Sequence, residues 1–176
     1  MSQQADYEKH TMIAWMEDKP GVLNRVAGLF SRRNFNIESL TVGHSEAPGI
    51  SRMTFVATGT PRDMRQIKTQ LFKLINVTAV EDVTDRPAIQ RELALIKVQA
   101  NSNTRQEVVQ LAELHQAEIV DVNIDSVVVQ IVARPEKVDS LLTLMEHFGV
   151  VEMVRTGSVA MVRSEKLPPA YKNGTP

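Results

Sequence analysis

Two short groups of residues have the types and spacing to hold a small charged molecule without covalent chemistry: Asp18-Lys19-Pro20-Gly21-Val22-Leu23-Asn24 and Asn36-Ile37. Proline and glycine punctuate the first group, and behind it Val22, Val26, Leu29 and Phe30 fall at i, i+4, i+7 and i+8, one face of a helix. The first amides of a helix lack intrahelical partners and sit at the positive end of its dipole. A carboxylate can therefore dock on the backbone near Gly21, Val22 and Leu23 without an arginine. Asp18 is the expected N-cap, Pro20 is expected in the first turn, and Gly21, lacking a Cβ, lets a ligand or another backbone come close. Asn36 brings a carboxamide that both donates and accepts, and Val22, Val26 and Ile37 are expected as apolar walls. Together these groups describe a zwitterion with an aliphatic side chain. Separately each is ordinary, because a Pro-Gly pair at a strand-to-helix junction is usually only a turn and asparagine favours turns for its own local hydrogen bonds.

Reactive groups are scattered. His10, His44, His115 and His147 show neither the short helical spacing of a zinc pair nor a neighbouring nucleophile motif, so they are assigned no chemistry and no metal. No phosphate loop or dinucleotide fingerprint follows any strand-like run. The absence of cysteine removes disulfides and thiolate chemistry. A net charge of -1 with no basic cluster argues against nucleic acid or an anionic membrane as partner. No run reaches the apolar length of a membrane span. Ser2-Gln3-Gln4-Ala5-Asp6 has neither the charged start nor the apolar core of a signal peptide, so a cytoplasmic location is expected.

The elements that must position the two groups follow from periodicity. His10 to Glu17 is a strand-length apolar run, Asn36 to His44 and Ile50 to Thr58 flank a turn at Glu46-Ala47-Pro48-Gly49, and Met64, Ile67, Leu71, Leu74 and Ile75 line a helix after Thr60-Pro61. Asn76 to Thr84 returns as a strand, which completes βαββαβ. The order then repeats: Leu93 to Gln99, a helix over Thr104 to His115, strands at Ile119 to Ile124 and Val127 to Ala133, a helix over Glu136 to Phe148, and a strand from Val150 to Arg155 that continues toward Val162. Two copies of one topology predict two domains, 1–84 and 92–165, joined by a polar, proline-interrupted linker at 85–91 and followed by a flexible tail at 166–176. Each domain of about eighty residues is small enough that pairing with a second copy is the economical way to cover its sheet.

The run from Pro20 to Val42, with Asn36-Ile37-Glu38-Ser39-Leu40, followed by Ser51-Arg52-Met53-Thr54, resembles the small regulatory subunit of acetohydroxyacid synthase, also called acetolactate synthase. The resemblance continues through Arg91 to Val98, Ile119-Val120-Asp121-Val122 and Arg155-Thr156-Gly157, as far as Arg163. It implies an α+β fold of two tandem ferredoxin-like βαββαβ domains, an N-terminal ACT domain that binds the effector and an ACT-like C-terminal domain. It implies a non-catalytic chain that activates a large catalytic subunit in branched-chain amino acid biosynthesis and mediates feedback inhibition by valine, with leucine or isoleucine weaker. In the ACT family sheets join across a two-fold axis, so a homodimer is implied in which Asp18, Pro20, Gly21, Val22, Leu23 and Asn24 of one subunit face Asn36 and Ile37 of the other. Arg32, Arg33, Glu38 and Arg52 become candidate contacts with the large subunit. Thiamine diphosphate, magnesium and FAD are expected on that partner and no cofactor in this chain. An ACT-type sensor for another enzyme or for transcription is the nearest alternative, and a self-contained enzyme the next. An RNA-recognition module shares βαββαβ, but Ile50 to Val56 carries one aromatic and lacks the glycine of the RNA-binding strand pattern.

Overall fold

The computed structural model describes residues 7–33 and 35–163; the expected tail at 166–176 lies outside the described residues. The chain divides into two compact units, one running up to Ile89 and rejoined from Ser158, the other comprising Gln90–Gly157.

In the first unit β1 (Glu8–Glu17), α1 (Val22–Arg32), β2 (Ile37–His44), β3 (Ile50–Gly59), α2 (Pro61–Phe72) and β4 (Val77–Asp82) follow one another. Their antiparallel sheet has the order β2-β3-β1-β4, that of a ferredoxin-like domain. The alternation of β1 and β3 turns Met12, Ala14, Met16, Met53, Phe55 and Ala57 to one face, where they meet Val26, Leu29 and Phe30 of α1 and Ile67 and Leu71 of α2. Phe30 and Phe55 meet with ring centroids 5.2 Å apart, so the stripe visible in the sequence is the core contact. A capping box starts α2: the Thr60 hydroxyl accepts from Asp63 N–H, and the Asp63 carboxylate accepts from Thr60 N–H at 2.9 Å. Ile75, expected on the core face of α2, is instead 85% exposed, because the helix stops at Phe72 and the stripe runs on past it into a turn.

The second unit repeats the pattern with β5 (Ala88–Gln99), α3 (Arg105–Leu114), β6 (Glu118–Val122), β7 (Ser126–Ala133), α4 (Pro135–Glu146) and β8 (Val150–Arg155), in the order β6-β7-β5-β8. Ala94, Ile96 and Val98 of β5 face Val108 and Ala112 of α3 and Val138, Leu141 and Met145 of α4 in a separate core. Arg155, in the Arg155-Thr156-Gly157 run, is structural here: it holds Glu92 and Asp139, each at 2.5 Å, while Thr156 N–H donates to Leu93 O at 2.9 Å.

The last described strand stays in the second sheet, as the expected run toward Val162 had it, but only after a break at residues 156–158. β8 ends at Arg155, Gly157 interrupts it, and β9 (Val159–Val162) pairs with the start of β5 and clusters with the first unit, where Arg163 N–H donates to Pro87 O at 2.7 Å. Ala160 and Val162 of β9 pack with Ile13, Trp15, Ala79 and Val83 on the face of the first sheet that no helix covers. Most of β1 is therefore buried on both faces, with Trp15 only 4% exposed.

Candidate functional site

The helix-start corner is built where β1 ends. Glu17 N–H donates to Asn76 O at 2.9 Å and Asp18 N–H to Gly49 O at 2.8 Å, which ties the end of β1 to the start of β4 and to the β2–β3 turn. Asn76 then bridges two charges: its Nδ2 donates to Glu17 Oε2 at 2.5 Å and its Oδ1 accepts from Arg25 Nη1 at 2.8 Å. The hydrogen bond from Asn76, followed by that from Lys19, holds the Glu17 carboxyl below the usual carboxylate range.

Asp18 is not the N-cap. Gly21 holds that position with φ +83°, a left-handed backbone that glycine adopts freely, and Pro20 lies in the turn before the helix rather than in its first turn. The Asp18 carboxylate instead lies 3.1 Å from His44 Nδ1. Val22 N–H is taken by Lys19 O at 3.3 Å, and Arg25 N–H makes the first helical bond, to Gly21 O at 3.1 Å. The amides that helix geometry leaves over for an anion are thus those of Leu23 and Asn24, one residue later than the sequence suggested. Leu23 is 44% exposed and offers an apolar surface beside them. Val22 and Val26 are buried in the core and form no wall of an open site.

Asn36 is exposed and stands at the other end of the sheet. Ile37 pairs with Ala57, which also pairs with His10 near the start of β1, whereas the corner follows Glu17, seven residues further on. At a rise of about 3.3 Å per residue the two groups are separated by about 23 Å in one protomer. The structure therefore brings Asp18, Gly21, Leu23 and Asn24 together and leaves Asn36 and Ile37 apart from them. Sequence reasoning missed Glu17, Arg25, His44 and Asn76. The Glu17–Asn76 pair spans 59 positions, and no local pattern marks a contact of that separation.

Of the four candidate partner contacts, three make side-chain bonds inside the protomer. Glu38 binds Lys9 Nζ at 2.8 Å and accepts from the Thr58 hydroxyl, and these bonds, that of Lys9 first, hold its carboxyl below the usual range. Arg52 lies 5.5 Å from the centroid of the Trp15 ring and donates to Ala160 O at 2.6 Å, which clamps β9. Arg33 reaches Gln70 Oε1 at 3.4 Å, and Arg32 is exposed in the last turn of α1. Among the described residues no group of three or more His, Cys, Asp or Glu could hold a metal ion, and no helix is long and apolar enough to cross a membrane.

Two ferredoxin-like units in tandem, the first with a glycine-started helix at a strand end, have the architecture of ACT-type domains. Residues 13–79 match the AHAS small subunit-like ACT domain and residues 91–164 match the small subunit of acetolactate synthase. The chain is 46% identical over 160 residues to a probable acetolactate synthase small subunit of Methanothermobacter thermautotrophicus, covering 90% of this chain and 95% of the relative. It is 45% identical over 156 residues to the acetolactate synthase small subunit of Bacillus subtilis, covering 88% and 91%. The crystal structure of the acetolactate synthase small subunit from Thermotoga maritima superposes with a TM-score of 0.83 at 37% identity, covering 90% of this chain and 99% of that one. The chain belongs to the acetolactate synthase small-subunit family. It is a regulatory subunit with an ACT domain, and as a small subunit it associates with a catalytic large subunit.

Proposed function

We propose that this chain activates its large subunit and transmits feedback inhibition by valine, with the effector held between two copies of the ACT domain in residues 1–84. The observation that carries the reading is the separation of Gly21 from Asn36 along one sheet. A two-fold axis that sets sheets edge to edge brings the helix start of one protomer to Asn36 of the other, which makes binding and subunit geometry a single equilibrium. The Leu23 and Asn24 amides face the carboxylate, the Asn36 carboxamide fixes the charged ends, and Leu23 and Ile37 take the side chain. Thiamine diphosphate, magnesium and FAD, with the condensation of pyruvate and a second 2-keto acid, belong to the large subunit. The isolated chain supplied with those cofactors is expected to form no acetolactate.

The test is reconstitution with the large subunit while valine is titrated and its binding is followed by calorimetry. Asn36→Ala is expected to weaken valine by roughly 1.5–3 kcal/mol, about ten- to a hundredfold, and to leave stimulation without valine intact. Gly21→Asp, which sets a negative charge where the ligand carboxylate docks, is expected to weaken it further. Unchanged affinity in both variants would remove this site.

A further inference from the structure

We infer that the second unit carries a separate binding site of its own, for a polar amino acid, in a cavity of ≈ 610 Å³ where β5 runs into α3. The volume is within the range of small-molecule sites, roughly 300–1,000 Å³. Three connections converge on it, the β5–α3 junction, the β6–β7 turn and the α4–β8 turn, and they are fastened to one another. Ala100 N–H donates to Asp125 O and Gln99 N–H to Gly149 O, each at 2.9 Å. The Arg105 guanidinium closes the ring, donating to Ala100 O at 3.2 Å, Asn123 O at 2.8 Å and Ile124 O at 2.5 Å. Gly149 makes the close approach possible: its φ is +92°, and a Cβ there would meet Gln99 Oε1 at 3.2 Å. The cavity wall is thus preformed rather than left to a ligand to organise.

The charges on that wall point to the ligand. Lys97, Glu107 and Asp125 all line the cavity, and among the described residues none of the three has an ion-pair partner. One ammonium and two carboxylates around a common space match a molecule that itself carries an anionic and a cationic end. Asn101 uses its Oδ1 on the amides of Asn103 and Thr104, at 2.9 and 3.2 Å, which leaves its NH2 as a donor for a ligand, and Ser126 adds a hydroxyl. Phe148 supplies an apolar wall. A zwitterion with a polar side chain satisfies all of these: its carboxylate toward Lys97, its ammonium toward Glu107 and Asp125, its side chain toward Asn101 and Ser126.

This site is independent of the valine reading, and one experiment separates them. The full-length 15N-labelled protein is titrated with glycine, L-threonine and L-glutamine, and amide shifts are followed by NMR. At least one of these probes is expected to shift Gln99, Asn101, Thr104 and Phe148 saturably, with a Kd below about 10 mM. Lys97→Met and Glu107→Gln are each expected to weaken that binding at least tenfold, with Lys97→Arg retaining it and unchanged spectral dispersion showing that the fold persists. No saturable shift at these amides with any of the three probes would overturn the proposal, as would shifts that both charge-removing variants leave untouched. A parallel titration with L-valine that shifts no amide of residues 21–24, while these shifts persist, would sink the first site and leave this one standing.

Discussion

Gly21 and Asn36 stand at opposite ends of the same four-stranded sheet, one beyond the Glu17 end of β1 and the other level with His10. If the effector site joins them across two protomers, a heterodimer of Gly21→Asp and Asn36→Ala subunits contains one doubly altered site and one intact site. Purified through two different tags, it is expected to bind valine with wild-type affinity at about half the wild-type stoichiometry. Calorimetry showing no wild-type-affinity site would place both residues in one chain's site, and wild-type affinity at full stoichiometry would place both outside it.

The left-handed backbone of Gly21 makes a stability prediction separate from binding. No atom lies within 4 Å of where a Cβ would stand, so steric crowding inside the protomer contributes nothing and the cost is conformational. Gly21→Ala is expected to destabilise by about 1–2 kcal/mol, and Gly21→Asn by less, since asparagine tolerates this conformation. Urea unfolding of the two variants measures the difference, and equal stability of all three proteins would contradict the φ of +83°.

Arg52 holds β9 through the Ala160 carbonyl and covers the ring of Trp15, the chain's single tryptophan. Arg52→Ala removes a charge-assisted hydrogen bond worth about 1.5–3 kcal/mol. The expected result is faster hydrogen exchange across residues 158–162 and a red shift of tryptophan emission as water reaches the indole. Emission and exchange identical to the parent would show that β9 is held by its apolar contacts alone.

The capping box of α2 carries a pH signature. Thr60 N–H, and after it the Thr60 hydroxyl, lower the pKa of Asp63 in the folded protein. A carboxyl lowered on folding contributes stability above its unfolded value and loses that contribution as pH falls through the folded one. Thr60→Ala is expected to cost about 0.5–2 kcal/mol at neutral pH, from the lost cap, and the gap to the parent should narrow in acid. Thermal melts across that range test it, and a gap independent of pH would mean that Asp63 is not the coupled group.

What was legible in the sequence follows periodicity and local punctuation. Val22, Val26, Leu29 and Phe30 are all buried, as their spacing required, because a helix can bury one face only if its apolar residues return every turn. Both βαββαβ orders were readable for the same reason. Asp18 was misplaced because a glycine in the left-handed region carries no mark in the sequence that distinguishes it from one in an ordinary turn. Ile75 was misplaced because a stripe extends past a helix end that only the backbone defines. β9 joins the same strand, β5, that β8 does, as the expected run toward Val162 had it, but no spacing marks the break at residues 156–158 or the packing of Ala160 against Trp15. Pairings such as Glu17–Asn76 and Arg52–Ala160 depend on the assembled sheet, and the chain offers no repeat or spacing that announces them.

Because the chain leaves the first unit at Ile89 and rejoins it at Ser158, the second unit is an insertion with two covalent attachments rather than an appendage with one. Cutting a single attachment therefore cannot set it adrift. A protease that nicks one connection leaves the inserted unit tethered through the other, whereas a stop codon after residue 89 discards β9 as well and uncovers Ile13 and Trp15. The clean excision is an internal one that removes Gln90–Gly157 and keeps β9, with its cover over Ile13 and Trp15, in the chain.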